Sequence, residues 1–113
     1  VEVIAKASHD DRNERTGETF LGAIIGDHVK TAICTRIMTG SVLATGGMFA
    51  STLPVNGSTQ PFAWVTDAGE KRYRLDKFLE VMAAAQARRN ITATDAYIDR
   101  ISALFAASEA PKR

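Results

Sequence analysis

His28, Lys30, Cys34 and Arg36 are the residues of this chain best equipped for chemistry, and they crowd into one stretch, GDHVKTAICTRI. An imidazole with an ordinary pKa of about 6.5 can serve as a general base near neutrality. A thiol can act as a nucleophile if a base and an oxyanion hole accompany it, and the sequence offers neither. Lys30 and Arg36 close consecutive six-residue units and can meet phosphates. His9, Asp10 and Asp11 are metal-capable types, but they are neighbours on a polar stretch with no Cys or second His at ligand spacing. Phe62 and Trp64 can stack a nucleobase. Each has a plainer reading beside it. His is tolerated at positive φ in a turn, Cys34 can stand where a Gly is preferred, surface cations are commonly solvated, and aromatic residues commonly pin a loop.

The elements that would position these residues follow from a period of six. From residue 19 to 49 one column holds Thr19, Ile25, Thr31, Ile37, Leu43 and Phe49, and the column three places later holds Gly22, His28, Cys34, Gly40 and Gly46. A third, slim column follows, with Ala23, Val29, Thr35, Ser41 and Gly47. Neither a helix nor a flat sheet has this period, whereas a hexapeptide β-helix does. Ile25, Ile37, Leu43 and Phe49 are expected inside such a coil. The Gly column is expected at sharp turns with φ above zero, where a side chain is costly and Cys34 breaks the pattern.

Composition narrows the class. The chain has 113 residues, 45% hydrophobic and 24% charged, with a net charge of +1 and a single Cys. The charge gives no reason to expect nucleic acid as a partner, and no apolar run is long enough to span a membrane. One Cys cannot form an internal disulfide, so a cytoplasmic protein is expected. The sequence opens on Val1-Glu2-Val3-Ile4 without Met, as the downstream part of a longer protein would. The five hexads of residues 19–48 also make fewer than two coils, if roughly three hexads close a turn.

The chain then divides into three parts: residues 1–50 as the end of a β-helix domain with a polar loop at 5–16, residues 51–74 as a connecting loop, and residues 75–113 as a helical appendage. Val1 to Ile4 reads as a strand. The connector carries Pro54, an Asn56-Gly57 turn signal and a short extended anchor at Phe62 to Val65. A first helix is expected over 75–89, with Leu75, Phe78, Leu79, Met82 and Ala85 on one face. A second is expected over 93–107, opened by Thr92 and Asp95 in a capping-box arrangement, with Tyr97, Ile98, Ile101, Leu104 and Phe105 as its apolar residues. The end, residues 109–113, should fray.

The run GAIIGDHVKTAICTRIMTGSVLATGGMFAST, followed by PFAW, YRLDKFLEV and ARR, resembles the C-terminal part of bacterial sugar nucleotidyltransferases. These are similar to the bifunctional N-acetylglucosamine-1-phosphate uridyltransferase/glucosamine-1-phosphate N-acetyltransferase. The likeness covers residues 16–89, and GDHVKTAI together with RLDKFLE narrows it to the nucleotidyltransferase-linked branch. The resemblance implies a left-handed parallel β-helix, a homotrimer, and acetyl-CoA lying between adjacent subunits. It also implies a sugar phosphate or nucleotide sugar as partner of the full-length protein. The nucleotidyl-transfer site with its Mg2+ and the acetyl-transfer base would both lie upstream of Val1. What carries over to this chain is the cofactor wall. Ile33 and Ser51, eighteen residues apart, would offer backbone groups to the pantetheine arm, and Lys30 and Arg36 would face phosphates.

Two functions are therefore expected as alternatives. One is an acyltransferase-type trimer within a nucleotide-sugar biosynthesis enzyme; the other is a non-catalytic module that trimerises a sugar nucleotidyltransferase. A γ-type carbonic anhydrase on the same β-helix would need His ligands on neighbouring coils, and the hexads supply His28 alone. By itself the chain is expected to catalyse neither nucleotidyl nor acetyl transfer.

Overall fold

Strand residues in this protein find their partners eighteen positions along the chain. In the computed structural model, which describes residues 2–109, β3 (Ile24–Ile25) pairs in parallel with β5 (Val42–Leu43), Ile24 against Val42 and Ile25 against Leu43. β4 (Lys30–Thr31) pairs in parallel with β6 (Met48–Ala50), Lys30 against Met48 and Thr31 against Phe49. A parallel bridge joins Ile37 to Val55 with the same offset. Backbone bonds such as Gly26 N–H to Leu43 O (2.8 Å) and Ala32 N–H to Phe49 O (2.8 Å) continue the ladders. Three six-residue units therefore separate each of these strand residues from its parallel partner.

The bends between sides fall where the Gly column puts them. φ is +78° at Gly22, +61° at His28, +64° at Cys34, +80° at Gly40 and +78° at Gly46. Cys34 therefore adopts the left-handed conformation that its column requires, despite its Cβ.

Beyond Val55 the offset shortens to sixteen, with Val42 bridged to Ser58 and Met48 opposite Trp64. Residues 51–72, expected as a connector with a short anchor, hold two further strands. β7 (Ala63–Thr66) joins β6 in parallel, and β8 (Gly69–Arg72) turns back antiparallel on β7, so that one sheet runs β4-β6-β7-β8. The described residues make a mixed α/β fold of small sheets with parallel and antiparallel strands and two helices, with no closed barrel among them.

Leu43, Phe49 and Val55 form the buried core of the strand region, with Val29, Ile37 and Val65 packed on it. Leu43, Phe49 and Ile37 were expected inside. Ile25 was too, but it is 54% exposed. The cause lies beneath it. Ile25 stacks on Leu43 on one side, while residues 5–16 leave the stack instead of adding a strand under it. They form a hairpin in which β1 (Ile4–Ala5) pairs antiparallel with β2 (Glu14–Arg15), so both bases of the expected loop are strands. Val3 anchors this hairpin: its carbonyl accepts from the Thr16 amide and hydroxyl, and its side chain lies against Gly40, where a Cβ would come within 2.6 Å of Val3 Cγ1. The expected strand start at Val1 and the end at residues 110–113 lie outside the described residues.

The chain divides into two units between Arg72 and Tyr73. The second contains α1 (Leu75–Ala87) and α2 (Asp95–Glu109). Phe78 and Met82 are the buried members of the α1 stripe, and Ile101 and Phe105 those of α2; Tyr97 and Leu104 stay exposed. Tyr73 meets Phe78 edge to face, centroids 5.5 Å apart. The turn that follows α1 closes at Asn90, whose φ of +57° lets the Ile91 amide bond back to the Gln86 carbonyl. The cap of α2 is Thr94, not Thr92: its Oγ1 accepts from the Tyr97 amide at 3.1 Å, two residues later than the sequence pattern suggests.

Candidate functional site

Arg36 and Ser51, two of the four expected cofactor residues, come to neighbouring positions around the bend at Cys34, each bonded to a different partner. Ser51 and Thr52 stand one layer along from Ile33 and Cys34, by the eighteen-residue offset of Thr31 and Phe49. Arg36 reaches across the layers and donates from Nη2 to the Thr52 carbonyl at 2.8 Å. Ser51 donates its hydroxyl to Asp67 Oδ1 at 2.8 Å and accepts from the Leu53 amide at 3.1 Å. Thr52 binds the same carboxylate through its amide, 2.7 Å, and its hydroxyl, 3.1 Å to each oxygen. Ile33 projects beside this cluster, 94% exposed.

Asp67 is the member that sequence reasoning missed. The Thr52 amide, the Ser51 hydroxyl and the Thr52 hydroxyl, in that order, hold its carboxyl below the usual aspartate range. It occupies the tight turn between β7 and β8, and the TDAG turn signal was the available hint. Next to it opens a cleft of about 320 Å³, floored by Phe49, Val55 and Val65 and edged by Ser51, Asp67 and Glu70.

Lys30 lies apart from that bend, in the sheet. Register places it opposite Met48, which faces Trp64, which faces Lys71. Burial lowers the pKa of its ammonium. His28 occupies a bend; burial and the Lys30 charge lower its pKa, and Asp27 acts weakly the other way. A neutral imidazole at a bend is chemically able to accept a proton, and its backbone conformation already accounts for its place there.

The two aromatic candidates part company. Phe62 is 1% exposed and pins the chain, as the plainer reading has it, whereas Trp64 is 44% exposed. At the polar loop, among the described residues, no three His, Cys, Asp or Glu side chains converge on a point that would hold a metal. Among the described residues, too, no helix is long and apolar enough to cross a membrane. Set against known family models, curated proteins and solved structures, the chain matches none of them.

Proposed function

We propose that the strand region is a left-handed parallel β-helix of hexapeptide type. In this reading it forms part of a cytoplasmic nucleotide-sugar biosynthesis transferase and contributes one wall of an acetyl-CoA site between subunits of a homotrimer. The observation that carries this reading is the joint occurrence of an eighteen-residue parallel register and positive φ at Gly22, His28, Cys34, Gly40 and Gly46. Ile33 and Ser51 supply the pantetheine-facing backbone, while nucleotidyl transfer, with its Mg2+, belongs to a domain outside this chain. Trimer packing would cover the open edges of β3 and β4, which unprotected parallel strands need. By itself the chain is inactive in both transfers.

A second reading is favoured by one observation: the Arg36 guanidinium is already engaged by the Thr52 carbonyl and the Ser51 hydroxyl by Asp67. Groups so occupied suit a purely structural bend, and the module then serves trimerisation alone. Light scattering at micromolar concentration and calorimetric titration with acetyl-CoA separate the readings. A trimer that binds acetyl-CoA supports the first. A trimer that does not bind it selects the second, and a stable monomer overturns both.

A further inference from the structure

Two residues that the sequence offers as separate candidates, thirty-four positions apart, share one row on one face of one sheet. The pairings Lys30 with Met48, Met48 with Trp64 and Trp64 with Lys71 set four side chains abreast across β4, β6, β7 and β8. Alternation along each strand fixes which way they point. The adjacent row runs through Phe49 and Val65, which belong to the core, so the Lys30 row faces outward. Neighbouring strands stand about 4.8 Å apart, which makes the row about 14 Å from Lys30 to Lys71. Trp64 lies inside that span with a cation on either side.

The next outward row, Ala50 opposite Thr66 and Thr66 opposite Gly69, is built of small residues. Neither outward row contains a carboxylate. The ion pairs Arg15 with Glu2, Arg74 with Asp76 and Lys77 with Glu80 involve neither Lys30 nor Lys71.

We propose that this face binds a nucleoside diphosphate, the heteroaromatic ring stacking on Trp64 and the phosphates bridging to Lys30 and Lys71. Stacking of a base on an exposed aromatic ring is worth about 1–3 kcal/mol and tolerates any base. Lysine ammonium groups bind phosphate as point charges and need no fixed fork geometry. The partial burial that lowers the Lys30 pKa also strengthens its attraction for an anion. The diphosphate can belong to a free nucleotide or to the nucleotide end of coenzyme A. The face shares Lys30 with the acetyl-CoA reading but uses neither Ile33 nor Ser51, and ADP binding at Trp64 tests it apart from acetyl-CoA binding.

Trp64 is the single Trp of the chain, so emission excited at the red edge, where Tyr does not absorb, reports on this face. Titration with ADP is expected to quench it saturably. Adenosine and pyrophosphate, each lacking half of the ligand, are expected to bind at least about tenfold more weakly. Lys30→Ala and Lys71→Ala should each weaken ADP binding by about fivefold or more while leaving the melting transition in place. Trp64→Ala, followed by calorimetry, should lose most of the affinity. Equal affinity for coenzyme A and ADP assigns the face to the coenzyme's nucleotide end; a clear preference for ADP assigns it to a free nucleotide. Three outcomes overturn the proposal: no saturable quenching by either ligand into the millimolar range, ADP binding that survives Trp64→Ala unchanged, or emission that follows protein concentration and ignores nucleotide. The last would make the face a contact between copies of the chain.

Discussion

The ring of Phe62 closes over the Cα of Gly46. A Cβ added at Gly46 would fall 2.7 Å from Phe62 Cε1, and the Phe62 amide donates to the neighbouring Thr45 carbonyl at 2.8 Å. Both residues bend the chain through positive φ, +78° at Gly46 and +56° at Phe62, and His28 holds the equivalent bend eighteen residues before Gly46. One corner is therefore a column of His28, Gly46 and Phe62, and its middle member has no room for a side chain. The left-handed conformation of Phe62 costs about 1–2 kcal/mol, which burial of a Phe ring, worth about 1.5–3 kcal/mol, offsets.

Gly46→Ala should accordingly destabilise by about 2–4 kcal/mol, adding overpacking against Phe62 to the backbone cost. Gly22→Ala is the control. Gly22 has the same φ of +78° but open space around it, so its substitution should cost only about 1 kcal/mol. Equal shifts in denaturant midpoint for the two variants would refute the steric role of Phe62.

Cys34→Gly should stabilise. Cys34 holds φ at +64°, at a cost of about 1 kcal/mol to a residue with a Cβ; the greater unfolded-state freedom of Gly cancels part of the gain. A higher urea midpoint for the variant, with unchanged slope, is the expected result. A lower midpoint would mean that the thiol makes a contribution larger than the strain.

The lowered pKa of His28 makes stability depend on pH. Its ordinary value is 6.5, and burial, then the Lys30 charge, depress it in the folded chain. Between the depressed value and 6.5 the unfolded chain binds more protons than the folded one, so stability rises with pH through that window. The contribution is complete above 6.5 and is lost as pH falls through the folded value. His28→Asn keeps a residue that tolerates positive φ and removes the titration. The difference in melting temperature between wild type and variant should change sharply across that window and stay flat above it. A flat difference throughout would dismiss the burial of the imidazole.

Asp67 should act as the clasp of its bend. Replacement by Ala frees the Thr52 amide, whose hydrogen exchange should quicken by about tenfold or more at neutral pH. The carboxyl pKa is lowered from its ordinary 3.8, so the clasp is fully present above that value and opens as pH falls through the lowered one. Unchanged Thr52 exchange in Asp67→Ala would show that the neighbouring backbone holds the bend unaided.

The bends were legible because positive φ leaves a compositional trace, Gly or His every six residues, strong enough to carry Cys34 along with it. Leu43 and Phe49 were legible from the same register. Ile25 obeys that register too, but its burial depends on what lies under it, and the residues that would have to lie there fold away as a hairpin. Val55 holds the hexad register, eighteen residues after Ile37, but Pro54 and Asn56-Gly57 on either side mark its stretch as a loop. Val65 was legible as part of an extended anchor, and its place in the core was not, because the repeat shortens to sixteen after Val55. Asp67 bonds residues fifteen and sixteen positions away, a pairing visible only once that shorter repeat is known. Thr92 and Thr94 are both Ncap types, and only the start of the helical hydrogen bonds distinguishes them.

The turn of β7 back into β8 gives edge-wise growth of this molecule a terminus. One end of the stack presents β3 and β4, short, parallel and apolar at Ile24 and Ile25. The other end of the larger sheet presents Glu70, Lys71 and Arg72 on a strand running the opposite way. A filament grows only if one edge of each copy accepts the other edge of the next. Here the charged, reversed strand refuses that match. Head-to-tail stacking of one copy on the next is therefore disfavoured at the β8 edge.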